Sequence, residues 1–181
     1  LTTDLEDNLS DARLSQGQCD IFICTQQGLS IRFSEEDVRS MGRSARGVKG
    51  ITLGKNDKVV GMEVIERECK DKILIVTEKG YGKRTPMDEY RCQSRGGVGI
   101  ITQKITSKVG QVVSARLTRD DQQVLMMTNN GRAIRMKCSD ISVMGRNTQG
   151  VRLMNLNDGE FLTGLAIFDD ESELDEKSST E

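Results

Sequence analysis

Arginine recurs near glycine along this 181-residue chain at a spacing that suits phosphate recognition. Glycine lets a backbone approach a ligand closely, and a guanidinium fork matches two phosphate oxygens at once. Gly28, Gly80 and Gly131 close the turns Thr25–Gly28, Thr77–Gly80 and Thr128–Gly131, and lie 52 and 51 residues apart. Four residues after each glycine comes an arginine: Arg32, Arg84 and Arg135. Fifteen after each comes a second: Arg43, Arg95 and Arg146. On one reading Arg43, Arg46, Lys49, Arg95, Arg146 and Arg152 form a phosphate-binding patch in each repeat, which Arg32, Lys83, Arg84, Arg91 and Arg135 widen. A structural alternative stays open. Arg32, Arg84 and Arg135 could pair with the acids five residues on (Asp37, Glu89, Asp140) and pin a turn, while Arg43, Arg95 and Arg146 could tie repeats through salt bridges.

Other chemistries fare worse. The chain has no histidine, and its five cysteines show no paired spacing, which argues against imidazole catalysis and a zinc site. Reduced thiols in a cytosolic protein are the expectation, with Cys24 and Cys138 in the core. The glycine-rich segments lack the Gly-Lys-Ser/Thr of a phosphate-binding loop, and paired-carboxylate catalysis has no support. No catalytic residue and no cofactor are expected. No apolar run approaches the ~20 residues of a membrane helix. Net charge is -2, but residues 17–168 hold 24 basic against 17 acidic residues, a net of +7. Acid gathers at the ends, with seven acidic residues in 169–181. Basic repeats and an acidic tail fit a polyanion binder with a competing tail.

The elements that must hold these arginines follow the same period. Ile21–Thr25 is a short apolar run, and Leu29–Phe33 alternates with period two, which places Arg32 outward. Ser34–Val38 reads as a capped helical turn, and 41–50 as a loop. Further strands are expected at Ile51–Leu53 and Val59–Ile65. The second repeat predicts strands at Ile73–Thr77, Tyr81–Thr85, Ile100–Thr102 and Val112–Leu117, and the third at Val124–Thr128, Ala133–Met136, Val151–Met154 and Leu162–Phe168. The expected fold is all-β, built of four-stranded, propeller-like blades of about 50 residues. The divisions are 17–68, 69–120 and 121–168, after the end of an earlier blade (1–16) and before a disordered acidic tail (169–181). The likeness of 7–14 to 57–65 suggests a piece of a longer array.

The stretch Gly80-Tyr81-Gly82-Lys83-Arg84-Thr85-Pro86, followed by Gln93 to Gly99, resembles the C-terminal domain of the DNA gyrase A subunit. So do residues 38–43 and 144–151. The resemblance spans about Leu5 to Phe168 and implies a β-pinwheel, a disc of blades that exchange a strand with their neighbours. It further implies a module that wraps double-stranded DNA in support of ATP-dependent negative supercoiling. The partners it implies are the gyrase B subunit, together with the rest of the gyrase A polypeptide, in the bacterial cytoplasm at the nucleoid. The family's heptapeptide is matched only at Gln93–Gly99, with Ser94 in its second position, so the related topoisomerase IV domain remains an alternative. Tyr81 and Tyr90 do not match the family's catalytic tyrosine segment. A protein-interaction propeller is the other reading; a propeller enzyme would need acids or histidines converging on a central channel.

Overall fold

A computed structural model describes residues 8–169. Eleven strands are present among them: β1 (Cys19–Thr25), β2 (Leu29–Ser34), β3 (Val59–Glu66), β4 (Lys72–Thr77), β5 (Tyr81–Pro86), β6 (Ile100–Ile101), β7 (Val112–Thr118), β8 (Gln122–Thr128), β9 (Ala133–Lys137), β10 (Val151–Arg152) and β11 (Leu162–Asp169). They form three antiparallel sheets, ordered β3-β1-β2-β6, β10-β5-β4-β7 and β11-β8-β9. Each of the first two sheets takes its fourth strand from the following repeat. Ile100 and Ile101 of the second repeat pair with Ser30 and Leu29 of the first, and Val151 and Arg152 pair with Gly82 and Tyr81. A blade is therefore not a repeat. The expected strand at Ile51–Leu53 does not form, because no sheet edge among the described residues receives it. The third sheet has three strands, since among the described residues no following repeat supplies a fourth.

The β1–β2, β4–β5 and β8–β9 hairpins turn at the periodic glycines, which adopt φ of +79°, +76° and +78° at Gly28, Gly80 and Gly131. A single 3-10 turn follows each second strand, at Glu35–Asp37, Met87–Glu89 and Cys138–Asp140. The Ser34 hydroxyl caps the first by accepting the Glu36 N–H at 3.2 Å.

Sheets stack face to face, so the middle sheet is covered on both sides. Ile73 and Ile75 of β4 pack towards Phe22, Cys24 and Tyr90, while Leu74 and Val76 of the same strand pack towards Val124, Met126 and Ile141. All four β4 side chains are fully buried, each contributing about 1.5–3 kcal/mol. Phe22 meets the Tyr90 ring edge-on at 5.0 Å. The Tyr90 hydroxyl lies 2.7 Å from Thr102 Oγ1, so the turn of one repeat is fixed to its own donated strand. Burial pushes the Cys24 thiol up to about 12, as suits an inert core residue. Cys138 is also fully buried, and all five cysteines are unpaired thiols.

The strands β3, β7 and β11 each form an edge of their sheet, and β7 lies beside both β3 and β11. Residues 8–16 form no strand. They are held there by ions: Arg116 reaches Asp11 at 3.3 Å and Glu63 at 3.2 Å, and Arg13 reaches Asp11 at 3.2 Å. Arg116→Ala should release this segment, so tryptic cleavage at Arg13 speeds up while the melting temperature moves little. Unchanged cleavage would show that the ion network does not hold the segment. The expected acidic tail lies outside the described residues except for Asp169, which belongs to β11 and pairs with Arg119 at 2.6 Å.

Candidate nucleic-acid interface

The basic residues divide into those turned into the stack and those on its surface. Arg32 and Arg84 belong to the first group. The Arg32 guanidinium pairs with Asp20 at 2.7 Å and donates to the carbonyls of Met87 (3.1 Å) and Tyr90 (3.2 Å) in the next repeat. Arg84, 3% exposed, repeats this one blade on, donating to Ile141 O at 3.0 Å and Ser139 O at 3.4 Å and pairing with Asp120. Lys72 and Arg84 both bond Asp120 and hold its carboxyl below the usual range. The expected pairs with Asp37 and Glu89 are replaced. Cross-strand geometry brings Arg32 to an acid 12 residues back, and the Glu89 carboxylate instead accepts the Arg146 N–H at 3.0 Å. Arg135, with no further repeat beside it among the described residues, bonds the Gln123 side chain and lies 4.6 Å over the Phe168 ring.

Lys83 is also turned inward, and is fully buried. Its ammonium donates to Gly145 O (2.8 Å), Thr148 O (3.2 Å), Thr148 Oγ1 (3.0 Å) and the Arg146 carbonyl. Burial pulls it down to about 8, against the opposing charge of Glu89. Neither Lys83 nor Arg84 presents its charge to solvent, so both leave the set of surface cations that the sequence suggests.

Arg95 and Arg146 are half-buried and reach back to the preceding repeat. Arg95 donates to Asp37 O (3.2 Å) and Lys49 O (2.5 Å), and Arg146 to Ile101 O (2.8 Å). They tie repeats through carbonyls rather than through the expected salt bridges. Arg43, Arg46 and Lys49 remain exposed, on the loop between the first 3-10 turn and β3, with Arg39 beside them. Arg91 is exposed at the matching place in the second repeat.

A second exposed cluster surrounds Tyr81. Arg152 donates to the phenol oxygen at 2.9 Å and lies 5.4 Å from the ring centroid, while Lys108 lies 5.5 Å from it. Lys79, in the turn just before, donates to Ser107 O at 2.5 Å. These residues edge an open hollow of about 420 Å³ that Asp158 and Glu160 also line. The Glu160 charge is engaged by Arg132 (3.1 Å), Thr128 Oγ1 (2.9 Å) and Asn157 N (2.9 Å). The Arg152 hydrogen bond lowers the Tyr81 phenol below its ordinary range. Of this cluster sequence reasoning found only Arg152. Lys79 was legible as a cation beside a periodic glycine; Lys108 falls in a segment with no cationic counterpart in the third repeat.

No group of three or more His, Cys, Asp or Glu side chains among the described residues could hold a metal, and no described helix is long and apolar enough to cross a membrane.

Comparison with known proteins gives a consistent result. A family model described as DNA gyrase C-terminal domain, β-propeller, matches three times, at residues 20–66, 71–119 and 122–169. The chain is 46% identical over 168 residues to the gyrase A protein of Staphylococcus epidermidis, covering 93% of this chain and 19% of that protein. It is 44% identical over 179 residues to the gyrase A protein of Staphylococcus aureus, covering 97% and 20%. It thus spans about a fifth of the length of these relatives. A solved DNA gyrase A C-terminal domain superposes with a TM-score of 0.76 at 28% identity, over 83% of this chain and 51% of that one. The C-terminal domain of a DNA topoisomerase IV gives 0.86 at 20% identity, over 97% and 55%, a likeness of fold.

Proposed function

The chain belongs to the DNA gyrase A C-terminal domain family, and from that membership we propose that it is a DNA-binding and DNA-wrapping module, part of a type II topoisomerase that introduces negative supercoils with ATP. The family match through all three repeats carries the reading. The identity of 44–46% with gyrase A proteins, against 20% with the topoisomerase IV domain, favours gyrase over its relative. Its partners would be double-stranded DNA, the remainder of the gyrase A polypeptide and the gyrase B subunit, in the bacterial cytoplasm.

The exposed cations fit a phosphate-tracking role. Two clusters stand apart on the surface: Arg39, Arg43, Arg46 and Lys49 on the first repeat's loop, and Lys79, Lys108 and Arg152 around Tyr81. Contacts of this kind fix the path of a duplex and carry little sequence information. Bending 20–30 base pairs costs on the order of 1–6 kcal/mol, which several such contacts must offset. The inward cations would have a supporting task, keeping successive blades at a fixed angle so that the surface clusters keep a fixed spacing.

Labelled duplexes of unrelated sequence test the proposal. Affinity should vary little among them and fall steeply with salt, and the purified chain should neither cleave DNA nor hydrolyse ATP. Affinity insensitive to salt would overturn the phosphate reading, and the protein-interaction scaffold would then stand in its place.

A further inference from the structure

The donated strands β6 and β10 form matching edges of their sheets, yet the residue each presents to solvent differs in chemistry. Ile101 stands in β6 where Arg152 stands in β10, each twenty-one residues after its periodic glycine. Arg152 lies opposite Tyr81 in register, and Ile101 opposite Leu29. Lys79 and Lys108, which complete the cationic group around Tyr81, have Gln27 and Asn56 as counterparts one repeat earlier. Asp57, the acid beside Asn56, accepts the Gln27 and Lys58 N–H groups at 2.9 Å each. The place that is cationic on one edge is therefore apolar on the other. Ile101 is 45% exposed there, and Val98, three residues before it, is 60% exposed.

Cations flank this apolar pair on both sides. Gly96 N donates to Gly50 O at 2.8 Å and Arg95 to Lys49 O at 2.5 Å, so the exposed Lys49 lies against the loop that carries Val98. On the other side Arg146 donates to Ile101 O at 2.8 Å, and its loop runs past Thr148, whose carbonyl accepts the Lys104 N–H at 3.0 Å, to Arg152. A duplex laid from Lys49 to Arg152 therefore crosses Val98 and Ile101. The backbone beneath them is fixed. Thr52 donates to Gly97 O through its N–H (2.8 Å) and to Gly96 O through its hydroxyl (2.7 Å). Gly99, at φ +84°, packs so closely that a Cβ would lie 2.4 Å from Ser30 O. Side chains mounted on so fixed a backbone stay presented to a ligand.

We infer that Ile101, with Val98 beside it, is an apolar wedge that enters the minor groove of a bound duplex and kinks it between the two cationic clusters. The inference rests on the DNA-binding reading above and adds to it the point at which the duplex yields. An aliphatic side chain has nothing to offer a phosphate, and it leaves water only by meeting sugars and base faces. Apolar side chains of this kind open a base step from the minor groove, and the kink brings more of the flanking backbone onto protein. Lys49 on one side and Arg152 on the other hold the duplex against the wedge. Unstacking is easier at flexible pyrimidine–purine steps and easiest at a mismatch. The wedge thus makes affinity depend on local deformability although no base edge is read.

Two labelled duplexes of equal length test this with the whole chain, one fully paired and one carrying a central mismatch. The wild-type chain should bind the mismatched duplex about tenfold more tightly, with both affinities falling as salt rises. Ile101→Ala should bring that ratio close to one without changing the salt slope. So should Ile101→Thr, which keeps the β-branched shape that suits a strand. Ile101→Lys should also lose the preference, but should steepen the slope of log K against log salt by about 0.9, because it puts a cation where Arg152 stands on the next edge. Val98→Ser, outside any strand, replaces a variant that circular dichroism shows to be misfolded. Wild-type binding that does not fall with salt would overturn the proposed function and the wedge with it. Salt-dependent binding with equal affinity for the two duplexes would overturn the wedge alone. So would a mismatch preference that survives in Ile101→Ala, or an Ile101→Lys chain with the wild-type slope, which puts Ile101 off the DNA path.

Discussion

Gly80→Ala should cost roughly 3–5 kcal/mol of stability, while Gly131→Ala, the same substitution at the same place in the next repeat, should cost only about 1–2 kcal/mol. Both glycines sit at positive φ, +76° and +78°, so the backbone penalty is common to them. The surroundings differ. A Cβ on Gly80 would lie 2.4 Å from Met154 O and 3.4 Å from Leu156, against backbone that cannot yield without moving the donated strand. The N–H bonds from Leu153 and Met154 to Gly80 O would be lost with it, each worth about 1 kcal/mol net. Gly131 has open space where a Cβ would go. Urea midpoints of the two variants against wild type measure the contrast. Equal losses would mean that φ alone explains the glycine period and that the exchanged strand contributes nothing to stability.

The strands themselves were legible because each repeat spells period-two alternation between turn residues, and the same spelling recurs in register three times. The origin of each sheet's fourth strand came only from the family resemblance. Val48-Lys49, Ile100-Ile101 and Val151-Arg152 share a pattern, yet among the described residues only the last two pair, because pairing depends on an edge being present and not on the segment alone. The inside–outside assignment failed for a physical reason. Alternation separates core from solvent only when one face of a sheet is covered. Here β4 and β5 are covered on both faces, so Lys83 and Arg84 on adjacent positions of β5 are both interior. Arg32, expected to face solvent, faces the next repeat and spends its charge on Asp20 and two carbonyls.

The same stacking explains why arginine, and not lysine, holds most of these joints. A 3-10 turn leaves carbonyls near its end pointing at the neighbouring sheet. One guanidinium can serve two of them and still pair with an acid, as at Arg32 and Arg84. Four of the cations that best match the repeat pattern therefore join blades: Arg32, Arg84, Arg95 and Arg146. Strict periodicity marks joints, since every interface needs one. Surface cations have no such requirement, and Lys79, Lys108 and Arg39 accordingly show a looser pattern.

That distinction predicts how duplex DNA should respond to substitution. Changing Lys79, Lys108 and Arg152 together to Ala should flatten the dependence of log K on log salt by up to about 2.7, at about 0.9 for each phosphate contact removed. Between 50 and 200 mM salt, that is a loss of salt sensitivity of roughly 40-fold. All three side chains are exposed, so the melting temperature should move little; the contacts given up are those of Arg152 with Tyr81 and Asn155, of Lys79 with Ser107 O and of Lys108 with the Tyr81 ring. Arg84→Ala should behave in the opposite way. It removes a buried guanidinium from Ile141 O, Ser139 O and Asp120, so it should lower stability by about 2–4 kcal/mol while leaving the salt slope of the folded fraction unchanged. Fluorescence anisotropy on a labelled duplex at several salt concentrations, paired with urea denaturation of each variant, separates the two classes. A triple variant with the wild-type slope would remove the Tyr81 cluster from the DNA path and leave the loop of Arg39, Arg43, Arg46 and Lys49 as the binding surface. An Arg84 variant with a flattened slope would mean that this joint opens to let DNA in, contrary to the role its buried contacts assign it.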